Sequence, residues 1–243
     1  MSKKIKLRFD SSLLFLICIS FFGLALSFVF VFLSGKIPDN FEFRKPLIGL
    51  IFGLLCVMGT FASIYPDQCL RVLDYEKVTI NRESSRKLHS PTILGHHPVC
   101  GNYFAHVLEF RGKILCATCT GFSVGAAMAL IGIGLFFFGP LSFGPAFFVP
   151  LTLGVFGVSI GLLHSILPGF KIGFSRFVVS TFFALGSFLI IASVDVALQN
   201  TSIDLFFVLL SMLWLVTDTA LSRWDHRRIC AECNLESCGK NST

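Results

Sequence analysis

Apolar residues run in unbroken blocks along this chain instead of alternating with polar ones. Six blocks stand out, at 11–34, 46–65, 120–139, 146–167, 177–198 and 202–222, each nearly free of Asp, Glu, Lys and Arg. About 20 apolar residues in helix cross a bilayer, and in hydrocarbon every backbone polar group must be satisfied within its own segment. The blocks therefore predict six transmembrane helices. They lack the period-2 alternation of a membrane barrel. The expected fold is an all-α polytopic membrane protein with a small zinc-ribbon or treble-clef-like insert between helices two and three. Residues 1–65 hold a tail and the first two helices, 66–119 a polar loop, 120–222 helices three to six, and 223–243 a Cys-rich tail.

Composition agrees with this reading. Of 243 residues, 54% are hydrophobic and 14% charged, where soluble domains carry about 25% charged; the mean hydropathy is +0.78. Lys3, Lys4, Lys6 and Arg8 precede the first block as they would a secretory signal. That block is longer than a signal core of about 7–15 residues, and no small-x-small cleavage site follows, so a retained anchor is expected.

Lys and Arg fix the orientation. With the N-terminus in the cytosol, seventeen of the twenty lie inside and three outside, namely Lys36, Arg44 and Lys45. Both termini, the long loop and the tail are then cytosolic, in a cell (cytoplasmic) membrane. The net charge of +6 follows this topology and does not mark a basic face. Over 66–119, seven basic residues meet five acids, so no nucleic-acid partner is expected; the lipid bilayer is. Trp224, just past the last block, fits an interfacial aromatic belt. Gly49/Gly53, Gly121/Gly125 and Gly157/Gly161 are small-xxx-small pairs whose expected role is close helix packing.

Of nine cysteines, Cys18, Cys56 and Cys69 lie in or beside the blocks and read as inert small hydrophobes. The other six fall in segments assigned to the cytosol, where thiols stay reduced and clusters favour metal or redox chemistry. His97-x2-Cys100 and Cys116-x2-Cys119 are separated by fifteen residues, a zinc-site spacing. Pro98 and Gly101 shape a knuckle. Val107–Phe110 and Lys113 to Leu115 flank Arg111-Gly112 and predict a hairpin that returns the second pair. Cys116 and Cys119 then open the third helix, whose positive end favours thiolates. Three cysteines and a histidine make a closed tetrahedral zinc site of structural type. In the tail, His226, Cys230, Cys233 and Cys238 could form a second set. Alternatively, Cys116, Cys119, Cys230 and Cys233 could make one all-cysteine site. An iron–sulfur cluster is conceivable from six thiolates, but neither usual ferredoxin spacing occurs.

His89, His96 and His106 remain over; loop histidines are most often plain surface residues, and His96 is the first of them to consider for a second role. His164, Asp195 and Asp218 fall inside blocks, where ionisable groups default to functional hypotheses. All three lie near block ends and could reach headgroups or water in a structural or interfacial role; Asp195 is near the outer end, whereas His164 and Asp218 share the cytosolic leaflet with the cysteines and could line a polar pocket beneath them.

At Cys116-Ala-Thr-Cys-Thr-Gly121 the chain resembles a family of uncharacterised prokaryotic multi-pass membrane proteins. That family has an upstream Cys/His-Pro stretch, matched here by His96 to Cys100, and a Gly-rich continuation, matched by Gly125. The resemblance covers roughly 95–130. It implies a metal-site membrane module and brings no established activity. His164-Ser165 stands where family members commonly carry Asp-Gly, and the tail cysteines are not a feature of most members.

Three function classes fit. The first is a scaffold, regulatory or binding protein built on a structural zinc site. The second is a membrane-embedded enzyme or transporter using His164, Asp218 and His96 as catalytic candidates. The third is a thiol–disulfide oxidoreductase using the CxxC pairs, against which stands the cytosolic placement of those pairs.

Overall fold

The computed structural model describes residues 10–33, 35, 38–39, 41–64, 106–110, 113–167 and 172–232. In chain order the elements are α1 (Ser11–Leu33), α2 (Arg44–Ile64), β1 (Val107–Phe110), β2 (Lys113–Cys116), α3 (Ala117–Phe137), α4 (Phe148–Leu163), α5 (Gly173–Leu198) and α6 (Thr201–Glu232). Apart from one hairpin the described chain is helical. One end of the bundle carries this hairpin with the starts of α3 and α5. The other carries the tight turn between α5 and α6, together with the start of α2.

Five helices are long and apolar enough to cross a membrane: α1, α2, α3, α5 and α6. The sixth, α4, has 16 residues, or about 24 Å at 1.5 Å per residue, short of a hydrocarbon core of about 30 Å. A 3-10 turn at Gly144–Ala146 precedes it. Pro168 follows its last turn in sequence, and the residue before a proline is disfavoured in α-helix. At the chain's far end, α6 runs on past the expected limit at 222 to Glu232. Its added turns are held by Asp225 and Arg228, whose carboxylate and guanidinium lie 2.6 Å apart at i,i+3 spacing.

Helix α5 is the centre of the bundle: 67% of its most apolar stretch is buried, against 22% for α2. Glycines on α3 and α4 let it in. A Cβ on Gly121 would stand 2.2 Å from the Phe177 carbonyl oxygen, and one on Gly125 2.4 Å from that of Thr181. Gly157 faces the Phe182 carbonyl at 2.6 Å, and Gly161 the Phe183 ring at 2.5 Å. These pairs do pack helices closely, as expected. In the remaining pair only Gly49 is tight, 2.7 Å from Phe137 Cβ, while Gly53 meets nothing nearer than Leu130 at 3.9 Å.

On the other flank α6 pairs with α1. The fully buried Trp214 donates its indole N–H to the Ser20 carbonyl at 3.2 Å, and the Ser20 and Thr217 hydroxyls bond at 2.8 Å. Outward-facing Phe15, Phe22, Leu54, Phe61, Ile131 and Leu209 are all exposed, a coat suited to lipid and too apolar for water.

Candidate functional site

The hairpin predicted from Val107–Phe110 and the following strand is present. Its strands are antiparallel, with Val107 opposite Cys116 and Leu108 opposite Leu115. Cys116 ends β2 and is at once the N-cap of α3, in extended conformation (φ −68°, ψ 120°). Cys119 follows in the first helical turn. Both carry thiols, the first buried and the second half-buried. No side chain caps this helix start, so its first N–H groups and dipole face the sulfurs. The Thr120 hydroxyl donates to the Cys116 carbonyl at 2.7 Å and that of Ser123 to the Cys119 carbonyl at 3.0 Å. Ser123 also meets Ser63 at 2.6 Å, which ties the end of α2 to this turn. His96, His97 and Cys100 lie outside the described residues, as do Cys233 and Cys238. Among the described residues no three His, Cys, Asp or Glu side chains gather as a metal would require.

The hairpin docks on the first turn of α5. Gly173 lies so close that a Cβ there would be 2.1 Å from the Val107 carbonyl oxygen. This docking puts His106, expected on the surface, into the bundle at 2% exposure. It joins a cluster that sequence reasoning missed. Asp225 of α6 is completely buried and accepts from Arg176 of α5 at 3.1 Å and from Arg228 at 2.6 Å. Arg176 Nη1 stands 3.2 Å from His106 Nδ1. A guanidinium can only donate, so that nitrogen accepts, and the ring proton sits on Nε2, 3.4 Å from Asp225 Oδ2.

His226, a candidate ligand of the possible second set, lies on α6. Its ring lies edge-on to His106 with centroids 5.2 Å apart. Its Nδ1 donates to the Ser222 carbonyl at 2.6 Å. Cys230 lies one turn further along α6. Trp224 is buried at 7% exposure, with the Arg228 guanidinium 5.1 Å over its ring. It is not the interfacial residue expected, because α6 continues past it.

His164 is 1% exposed. Its Nδ1 binds the Gly161 carbonyl and its Nε2 lies 3.4 Å from the Ser165 hydroxyl. Arg176 and Asp225 act on it electrostatically. Asp218 is half-buried, and its Oδ1 is enclosed with no hydrogen-bond partner among the described residues. A cleft opens between α2, α3, α5 and α6, walled by Phe52, Cys56, Phe122, Phe183, Met212 and Leu215 among others. Neither His164 nor Asp218 lines it, and its wall is almost wholly apolar.

The opposite end holds a second buried cluster. Asp195, expected to reach outward, is 1% exposed and lies 2.5 Å from Arg44 Nη1; the same nitrogen is 2.8 Å from Asp204. Arg44 had counted only as a loop charge. Asp204 had a visible signal, being an acid inside an apolar run at Ile203-Asp204-Leu205-Phe206. Nearby, Asp39 accepts from the Thr201 backbone N–H at 2.5 Å. The Thr201 hydroxyl and that N–H hold its carboxyl below the ordinary carboxylate range.

The class defined by these features is a multi-helix membrane-type bundle with a buried ion-pair cluster at each end and a cysteine pair at one of them. No family model, curated protein or solved structure matches the chain.

Proposed function

We propose that the chain is a six-span protein of the cytoplasmic membrane, with both termini in the cytosol. On this reading its hairpin end carries a structural zinc site of His97, Cys100, Cys116 and Cys119, and the protein serves as a scaffold, regulatory or binding module. The carrying observation is the hairpin. It delivers Cys116 to the uncapped start of α3 with Cys119 one turn on, so two sulfurs share the electropositive end of one helix, where thiolates are favoured. Two thiolates at this spacing supply half of a tetrahedral set. With four protein ligands such a site has no open position for substrate, which favours a structural over a catalytic use. In the bilayer α4 would span with the help of its flanking turns, and the basic residues would flank the cytosolic side.

Elemental analysis of detergent-purified protein beside Cys116→Ser is the test. The expected result is about one zinc per wild-type chain, lost in the variant. Absence of metal from folded wild-type protein would refute the reading, and thiols in that protein that cycle with a dithiol reductant would move the function to thiol–disulfide exchange.

A further inference from the structure

At the α5–α6 turn, among the described residues, two buried carboxyls share a single guanidinium. Arg44 Nη1 donates to Asp195 Oδ1 at 2.5 Å and to Asp204 Oδ2 at 2.8 Å. The second oxygens of these carboxyls, Asp195 Oδ2 and Asp204 Oδ1, find no hydrogen-bond donor among the described residues. Yet the two side chains are 1% and 0% exposed. The surroundings are apolar: Ile191, Val194, Leu198 and Phe207 are all fully buried. One guanidinium against two carboxylates would strand a net negative charge there, which is costly in a low-dielectric interior.

Among the described residues, no other cation is in contact with the pair. Lys45, the neighbour of Arg44, acts on Asp195 at a distance, but its ammonium is placed 5.1 Å over the Phe136 ring. Asp39 adds a negative group and is engaged with Thr201. Glu42 is exposed. Helices α1, α3 and α4 contribute no charged side chain. Helix dipoles divide the two acids as well. Asp204 sits in the first turn of α6, where a carboxylate is favoured, and Asp195 in the last turn of α5, where it is disfavoured. The two carboxyls converge on the same guanidinium nitrogen, so like charges are crowded together and one proton on the pair relieves the repulsion.

We propose that Asp195 and Asp204 form a binding site for one exchangeable proton, held on Asp195, with Arg44 balancing the remaining charge. The balance is simple: one carboxylic acid, one carboxylate and one guanidinium sum to zero, and loss of the proton leaves the cluster at minus one. This site lies at the other end of the bundle from the cysteines and does not rest on the zinc reading.

Infrared spectroscopy of the purified full chain in lipid tests it. At neutral pH the wild type should show a protonated-carboxyl C=O band that shifts in D2O. The band should vanish in Asp195→Asn and persist in Asp218→Asn, which removes the other enclosed carboxyl. Titration to alkaline pH should abolish it reversibly. A wild-type spectrum without the band overturns the proposal whatever the variants do, as does a band that survives in folded Asp195→Asn. A band that appears only when sodium is replaced by a large organic cation would also overturn it, since the ligand would then be sodium.

Discussion

Removing the Asp225 carboxylate separates the energetic weight of the two guanidinium partners it holds. Arg176 is 9% exposed and Asp225 is 0% exposed, whereas the Arg228 side chain is 40% exposed. Asp225→Ala therefore takes the counter-charge from a buried cation, and deleting one member of a buried pair costs about 3–5 kcal/mol. Arg176→Met should fall somewhat short of that, because Asp225 keeps Arg228. Arg228→Ala should cost about 1 kcal/mol or less, since an exposed partner contributes about 0.2–1 kcal/mol. The double variant Asp225→Ala/Arg176→Met removes both charges and should be less destabilised than the sum of the single changes. Unfolding in mixed detergent micelles, followed by Trp fluorescence, would measure the series, as Trp224 stands beside the cluster. Equal losses for Arg176→Met and Arg228→Ala, or an additive double variant, would refute the argument that burial decides the magnitude.

Other outcomes follow from the packing and the turns. Gly121→Ala should destabilise by about 1–3 kcal/mol, because its new methyl meets the Phe177 backbone 2.2 Å away and cannot be absorbed by a rotamer change; Gly53→Ala, with 3.9 Å to Leu130, should be near neutral in the same unfolding assay. Trp214→Phe removes the donor to Ser20 and should cost about 0.5–1.5 kcal/mol, the worth of one hydrogen bond, since that carbonyl keeps its own helical partner, read from the urea or SDS midpoint. Asp39 has a carboxyl depressed below its ordinary 3.8, so its stabilising contribution is complete above that value and disappears as pH falls through the lower folded one. Asp39→Asn should accordingly flatten the acid limb of a stability–pH profile, and an unchanged limb would show that Thr201 does not hold this carboxylate.

Much of the architecture was legible because lipid is a demanding solvent. Long apolar blocks admit few conformations, and a Gly pair on a helix admits few roles. The hairpin was readable from Arg111-Gly112 between two short apolar strands. Polar burial was not. Arg44, Arg176 and Asp225 sit at block edges, where charge normally means loop or headgroup contact, and only tertiary pairing separates the two cases. His106 was hidden for the same reason: nothing local says that Gly173 will accept the hairpin and carry the ring inside. The end of α6 was misplaced because the hydropathy drop after Ser222 marks the end of an apolar stretch, not of a helix.

Helices α5 and α6 are antiparallel and are joined near both extremities, through Asp225 with Arg176 at one and through Arg44 with Asp195 and Asp204 at the other. A pair riveted twice cannot slide along its own axis without breaking a tie. The register of these two helices should therefore be locked, and any gating or breathing of the bundle has to leave both rivets in place.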